Sequence, residues 1–162
     1  MRVAAVADIH IQAESYERDV HRFSPVNELA DVLVIAGDFT NHGKREEMRA
    51  CLRVLEAIHI PIVAVLGNHD YESGEQDELA GMLRLAGVNL LDGNCFEIEN
   101  VGLAGTKGFC GGFLLPMNSC HLANLGLRLL SKLPRGKRSS WTTDLLSFIR
   151  RLRSPSHITH RS

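Results

Sequence analysis

The chain has 162 residues, 44% of them hydrophobic, and a formal net charge of -1 at pH 7. This length and apolar content suit one domain with a hydrophobic core. The sequence contains no run of 18 apolar residues, which argues against a membrane-spanning helix. The small net charge hides an asymmetry: residues 1–120 carry a net charge of -9, whereas residues 121–162 carry +8.

The sequence carries no pattern typical of secretion. The short apolar run after Met1 leads directly to Asp8, without the longer apolar stretch and cleavage site of a signal peptide. The four cysteines are widely spaced and form no Cys-x-x-Cys pair, which is typical of reduced thiols rather than of a disulfide scaffold or a zinc site. We therefore predict a cytoplasmic protein.

Three apolar runs in the first half of the chain, residues 2–7, 32–36 and 62–66, predict β-strands. None alternates with polar residues, so we expect these strands to be covered on both faces, as parallel strands usually are. Apolar residues at helical spacing predict helices over 44–58 and 76–86. This order of elements predicts βαβ units and an α/β fold with a parallel sheet.

Shorter elements are predicted after the second helix. Residues 88–91, 95–98 and 101–104 predict three short strands, with a hairpin turn at Glu99-Asn100. Residues 121–133 are rich in leucine and predict a helix.

A polar string follows each of the first three predicted strands. The strings are Asp8-Ile9-His10, the stretch from Gly37 to Gly43 that contains Asp38, and Gly67-Asn68-His69-Asp70. Ligands of open α/β sheets bind beyond the carboxyl ends of the strands, so these side chains are expected to converge. Any one string also fits a turn or a helix cap. All three together at neighbouring strand ends favour a site for divalent metals.

The chemistry of the strings supports that interpretation. Asp8 and Asp38 offer carboxylate oxygens, and one carboxylate can bridge two cations about 3.5–4 Å apart, the spacing useful for displacement at phosphorus. In an extended chain His10 faces the same side as Asp8. Asn68 offers a neutral oxygen, and the adjoining His69 and Asp70 predict an imidazole held as an acid by a carboxylate.

Together the strings resemble the calcineurin-like metallophosphoesterase family. The resemblance rests on Asp-x-His, Gly-Asp-x-x-x-x-Gly and Gly-Asn-His-Asp, in this order and about 30 residues apart, and covers residues 1 to about 115. The stretch from Gly105 to Gly112 further resembles a bacterial branch of the family. The family resemblance implies a metallophosphoesterase-like layered β-sandwich flanked by helices. It also implies two divalent metal ions, with Mn, Fe or Zn expected.

The resemblance also implies a role for each site residue. Asp8 and His10 match ligands of the first metal, Asp38 matches the bridging carboxylate, and Asn68 matches a ligand of the second metal. His69 matches the catalytic residue that protonates the leaving group or stabilises the transition state. The implied reaction is hydrolysis of a phosphomonoester or a phosphodiester.

The second part of the chain departs from the family. The family continues with a further strand-end histidine and a Gly-His-x-His string, and this sequence has neither. We therefore expect residues 1–115 to be the N-terminal part of a metallophosphoesterase-like domain, with the fold incomplete. We expect residues 116–162 to be a divergent basic tail. The sequence of this tail is either out of frame or that of a disordered segment.

Three functions remain open at this point. The first is a metal-dependent phosphoesterase acting on a phosphate ester, and the second is a catalytically inactive remnant of such an enzyme. The third, a nucleic-acid-binding protein that uses the basic tail, is the least favoured, because only Trp141 and Phe148 offer aromatic stacking there.

Overall fold

A four-stranded parallel sheet forms the centre of the chain. The computed structural model describes residues 1–99 and 101–106 and the backbone of residues 128–130. The strands pair in the order β1-β2-β3-β4, all in parallel, which confirms the predicted α/β sheet. They are β1 Val3–Val6, β2 Val32–Ala36, β3 Ile62–Val65 and β4 Asn89–Leu90.

Four helices lie in the connections between these strands. They are α1 Tyr16–Phe23, α2 Val26–Leu29, α3 Arg45–Leu55 and α4 Gln76–Leu85. α3 and α4 lie within the two predicted helical ranges. α1 and α2 occupy the first crossover, where no helix was assigned, because α1 is mostly polar and its only buried residues are Asp19 and Phe23. Among the described residues, no helix has the length and apolarity needed to cross a bilayer.

The central strands β2 and β3 are covered on both faces, as predicted. Leu33 and Ile35 of β2 pack in the larger core cluster, which includes residues of α3 and α4. The alternate residues Val32 and Val34 belong to a second cluster on the other face of the sheet. Because neighbouring side chains of a strand point to opposite faces, a continuous run of apolar residues serves both cores.

The prediction of two covered faces is wrong for β1. Its residues alternate between exposed and half-buried, and the Val3 side chain remains 37% exposed. β1 is the edge strand of the sheet and pairs only with β2 among the described strands. An apolar run therefore predicts the strand but cannot tell an edge position from a central one.

A second sheet packs on the first. It consists of β5 Asn94–Ile98, β6 Val101–Gly105 and β7 Arg128–Leu130, paired antiparallel in that order. The fully buried Leu103 of β6 shares the second core cluster with Val63 and Val65 of β3. The two sheets and the flanking helices confirm the predicted layered β-sandwich.

The helix predicted over residues 121–133 is wrong for residues 128–130. These three residues form β7, whose backbone pairs with Gly102 to Ala104 of β6. A leucine-rich run is compatible with a helix or a strand, and the otherwise open edge of β6 supplies the partner that decides between them. The rest of the predicted helix lies outside the described residues.

Candidate metal centre

The segment that leaves β1 runs beside the loop that follows β2. The backbone N–H of Asp8 donates to the carbonyl of Gly37 at 3.1 Å, and the N–H of His10 donates to the carbonyl of Asp38 at 3.0 Å. These bonds continue the register of the sheet beyond the ends of its strands. They bring the first two polar strings together at the carboxyl edge, where they were predicted to meet.

The backbone at this edge is held in an uncommon conformation. Asp8, His10 and Asp38 have φ angles of 54°, 41° and 55°, in the left-handed region that residues other than glycine seldom adopt. Such conformations cluster at functional sites, where the surrounding structure fixes them. Here all three lie just beyond the ends of the neighbouring strands β1 and β2.

Three predicted site residues converge in space. One potential ligand atom from each of His10, Asp38 and His69 lies within 4.8 Å of the others. The two imidazole rings meet edge to face with their centroids 4.9 Å apart. The backbone N–H of His69 donates to Oδ1 of Asp38 at 2.9 Å, which ties the loop after β3 to the loop after β2.

Backbone carbonyls fix the orientation of both imidazoles. Nδ1 of His10 lies 3.0 Å from the carbonyl oxygen of Thr40, and Nδ1 of His69 lies 2.8 Å from that of Asn41. A carbonyl can only accept a hydrogen bond, so we infer that each Nδ1 carries a hydrogen, which leaves Nε2 as the nitrogen that can bind a metal ion or exchange a proton. This is the usual state of a metal-binding histidine, whose second nitrogen donates to a neighbouring acceptor.

Asp8 and Asn68 lie at the same edge of the sheet. Asp8 is exposed, and its carboxyl group lies close enough to that of Asp38 to raise the pKa of Asp38. Asn68 is half-buried and immediately precedes the 3-10 turn His69–Tyr71. Their assignment as metal ligands stays a prediction.

Burial raises the pKa of Asp38 above its usual value. The hydrogen bond from the His69 N–H opposes this rise, and the nearby carboxyl groups of Asp70 and Asp8 add to it. A buried carboxylate beside two others is an unfavourable collection of negative charge in the absence of a cation. A bound divalent ion would favour the ionised form of Asp38.

The prediction that Asp70 holds an imidazole is wrong. Its carboxylate is fully buried and accepts hydrogen bonds from the backbone N–H groups of Gly67, Thr40 and Phe39 at 2.9, 3.0 and 3.3 Å. The Thr40 hydroxyl donates to it at 2.7 Å. Burial raises the pKa of Asp70, while these hydrogen bonds act in the opposite direction. Asp70 therefore joins the loop after β2 to the loop after β3 through hydrogen bonds, and it does not orient a histidine.

Sequence reasoning missed three contributors to the site. Thr40 is fully buried, and its Oγ1 also accepts a hydrogen bond from the Gly43 N–H at 3.0 Å. Asn41 acts through its carbonyl, for which no sequence signal exists. Glu72 places Oε1 2.9 Å from Nδ1 of His69, and its position three residues after the histidine is the one signal that the sequence offered.

The donor set fits a divalent transition metal. Imidazole nitrogens suit Zn and Fe, and carboxylate oxygens suit Mn as well as these ions. The buried Asp38 carboxylate and the oriented His10 imidazole provide such ligands at one point, with His69 within 4.8 Å of both.

Comparison with known proteins agrees with the geometry. The chain is 26% identical to a probable cyclic nucleotide phosphodiesterase of Xenorhabdus bovienii, over 49% of this chain and 38% of that protein. It is 29% identical to a glycerophosphodiester phosphodiesterase of Enterobacter lignolyticus, over 43% of this chain and 30% of that protein. The match therefore spans about a third of the length of each relative. The sequence profile of the calcineurin-like phosphoesterase family matches residues 1–152, and the chain belongs to that family.

Proposed function

We propose that the chain is a metal-dependent phosphoesterase that hydrolyses a phosphodiester or a phosphomonoester. The observation that carries this proposal is the convergence of His10, Asp38 and His69 within 4.8 Å at the carboxyl edge of a parallel sheet. Both named relatives are phosphodiesterases, so a diester is the first substrate to test.

The ligand assignment follows the order of the three polar strings. Asp8, His10, Asp38 and Asn68 would hold two divalent ions, with Asp38 contributing to both. The closeness of the Asp8 and Asp38 carboxyl groups supports this assignment, because two acidic groups meet at one point. When bound, the ions supply water activation and neutralise the charge that develops on the phosphoryl oxygens.

His69 acts as the catalytic acid in this proposal. Its Nδ1 is occupied by the Asn41 carbonyl, so proton transfer to the leaving oxygen takes place at Nε2. Its own backbone N–H holds the Asp38 carboxylate at 2.9 Å. The same residue therefore orients the bridging carboxylate and carries the proton.

An inactive remnant is the second candidate. The matched region spans 38% and 30% of the lengths of the two relatives, and the sequence lacks a Gly-His-x-His string. Fewer ligands lower metal affinity, because each absent donor removes part of the binding free energy. A nucleic-acid-binding function of the tail stays a prediction, since that segment lies outside the described residues apart from the β7 backbone.

A hydrolysis assay separates these candidates. We expect Mn²⁺-dependent release of p-nitrophenol from bis(p-nitrophenyl) phosphate or p-nitrophenyl phosphate. Asp38→Ala should lower kcat by about 100-fold or more, since outer-shell partners alone are worth roughly 10–100-fold. Glu56→Ala is the matched control, because Glu56 is exposed beside Pro61 and Ile62 at the opposite edge of the sheet. Metal-independent turnover, or equal turnover in Asp38→Ala, would contradict the proposal, and no turnover in any variant would favour the remnant.

A further inference from the structure

A carboxylate that no motif assigns stands beside the proposed catalytic histidine. Oε1 of Glu72 lies 2.9 Å from Nδ1 of His69, the nitrogen that also faces the Asn41 carbonyl. Oε2 of the same carboxylate lies 3.4 Å from Nδ1 of His42. Each oxygen of Glu72 is therefore next to a different imidazole.

The backbone builds this arrangement. Glu72 caps the 3-10 turn that starts at His69, and its N–H donates to the His69 carbonyl at 3.2 Å. The next residue, Ser73, donates its hydroxyl to the carbonyl of Gly43 in the loop after β2. A Cβ on Gly43 would lie 2.9 Å from the His69 carbonyl oxygen, which shows how closely the turn and the loop pack.

His42 is held on the other side of Glu72. Its backbone N–H donates to Oε2 of Glu47 on α3 at 2.9 Å, and the same oxygen accepts the N–H of Lys44 at 3.3 Å. The loop therefore presents the His42 ring to Glu72 from a position that the start of α3 fixes. The Glu72 carboxylate lies between one imidazole at the proposed metal site and another at its rim.

We propose that Glu72 is a positioning residue for His69, an inference that rests on the proposed function. The Asn41 carbonyl and the Glu72 carboxylate approach the same Nδ1 and restrict rotation of the ring, so that Nε2 stays directed away from both acceptors. Partners of this kind typically affect activity 10- to 100-fold, by roughly the same factor as those of metal-binding histidines. Glu72 takes the role that Asp70, buried among backbone N–H groups, does not fill.

A contribution to the stability of the fold does not explain the position of the Glu72 carboxylate. The side chains of Glu72 and His42 are 43% and 64% exposed, and ion pairs at such positions add little to the free energy of unfolding. We therefore expect Glu72→Ala to leave the thermal midpoint unchanged. A selective loss of turnover without loss of stability separates a positioning role from a structural one.

The kinetic test compares substrates with good and poor leaving groups. We expect Glu72→Ala to lower kcat by about 10- to 100-fold with KM unchanged, and to lower it more for phenyl phosphate than for p-nitrophenyl phosphate. The larger loss follows because a poor leaving group depends more on the proton that His69 delivers. Glu56→Gln, which removes a charge at the opposite edge of the sheet, should leave both rates unchanged.

A double-mutant cycle tests whether Glu72 acts through His69. We expect His69→Ala and His69→Ala/Glu72→Ala to have the same kcat, since a positioning residue has no effect once its target is gone. Losses that multiply in the double variant would overturn the proposal. Equal losses of kcat for the two substrates in Glu72→Ala would also overturn it.

A measurement on the metal-free protein keeps this proposal separate from the proposed function. In ¹⁵N-histidine-labelled protein, we expect nuclear Overhauser contacts between the His10 and His69 rings, whose centroids are 4.9 Å apart, and their loss in Glu72→Ala. If the native chain is inactive but these contacts depend on Glu72, the proposed function fails and the positioning role stands. If the native chain is active and neither the contacts nor kcat changes in Glu72→Ala, the positioning role fails alone.

Discussion

Asp38 occupies its position because two glycines allow the loops after β2 and β3 to touch. A Cβ on Gly37 would lie 2.7 Å from the Cα of Gly67, and a Cβ on Gly67 would lie 2.0 Å from Oδ1 of Asp38. Gly37 also has a φ angle of 89°, which side-chain-bearing residues rarely adopt. The candidate site at this edge therefore depends on the absence of two side chains as much as on the polar residues that converge there.

Gly67→Ala should disrupt the site and the fold together. The added methyl group would overlap the Asp38 carboxylate and lie 2.3 Å from the Asp38 backbone nitrogen, so the loop has to move. We expect a loss of at least about 2 kcal/mol in the free energy of unfolding, together with weaker Mn²⁺ binding. Urea denaturation and isothermal titration with Mn²⁺ measure the two effects.

Gly81→Ala is the matched control for this substitution. Gly81 lies within α4, and a Cβ added there would meet no atom within 4 Å. Alanine in a helix interior should raise the free energy of unfolding by about 0.5–1 kcal/mol relative to glycine. Equal effects of the two substitutions would show that the contact with Asp38 is unimportant.

At this scale the sequence predicts which side chains meet at the strand ends better than it predicts the hydrogen-bond partners of those side chains. Asp8, His10 and Asp38 could be found because the carboxyl ends of parallel strands meet at one edge, whatever the loops do afterwards. The wrong role for Asp70 and the missed contact between Glu72 and His69 have a common cause. The 3-10 turn after Asn68 buries Asp70 and brings the Glu72 carboxylate next to the His69 ring. The local sequence does not specify that turn.

Among the elements, the edge strand β1 is joined to the start of β2 by an exposed ion pair. The guanidinium of Arg2 lies 3.0 Å from Oδ1 of Asp31, and the Arg2 backbone N–H donates to Oδ2 at 2.5 Å. The Asp31 N–H donates in return to the Arg2 carbonyl at 2.9 Å. These bonds fix the register of a strand that lacks a neighbour on its other side among the described residues.

This pair predicts a pH-dependent contribution to stability. Hydrogen bonds from the backbone and side chain of Arg2 lower the pKa of Asp31 below its ordinary value of 3.8. Because the pKa is lower in the folded chain, ionised Asp31 stabilises the fold above pH 3.8. That contribution declines as the pH falls below 3.8 through the depressed folded pKa. We expect Asp31→Asn to lower the urea midpoint at neutral pH by a small amount that shrinks on acidification.

Arg2→Ala provides the comparison for Asp31→Asn. Arg2→Ala removes the guanidinium contact but keeps the backbone N–H that donates to Asp31, so the double variant should lose less stability at neutral pH than the two single losses added together. A difference between the native chain and Asp31→Asn that stays constant from neutral pH to pH 3 would contradict the assignment.

A helix or a strand was predicted correctly where its apolar pattern fits only one type of secondary structure. β2 matches its predicted range because residues 32–36 are all buried, and α3 lies inside its range because Met48, Cys51 and Leu55 recur on its buried face. Residues 128–130 were assigned to the wrong element because their partner, β6, is distant in the sequence. Pairing across such a separation leaves no local signal.

At the scale of the molecule, the candidate site depends on a sheet that is packed on both faces. The larger core lies against the helices, and the smaller core joins the two sheets through residues such as Val65 and Leu103. The family could be predicted because the three polar strings at the strand ends resemble its motifs, and the layered fold follows from the family. The substrate could not, since the chain aligns with only about a third of each relative's length.

Leu103→Ala tests whether the two sheets unfold as one unit. Leu103 is fully buried between the sheets, so its truncation should lower the free energy of unfolding by about 2–5 kcal/mol. Leu85→Ala removes the same atoms from a side chain that is 91% exposed at the end of α4, and should change stability by less than about 0.5 kcal/mol. If the second sheet supports the first, Leu103→Ala will also speed hydrogen exchange at the amides of β2 and β3, measured with Leu85→Ala alongside. Faster exchange confined to β5 and β6 would instead mean that the parallel sheet, and the candidate metal centre at its edge, hold together without the second layer.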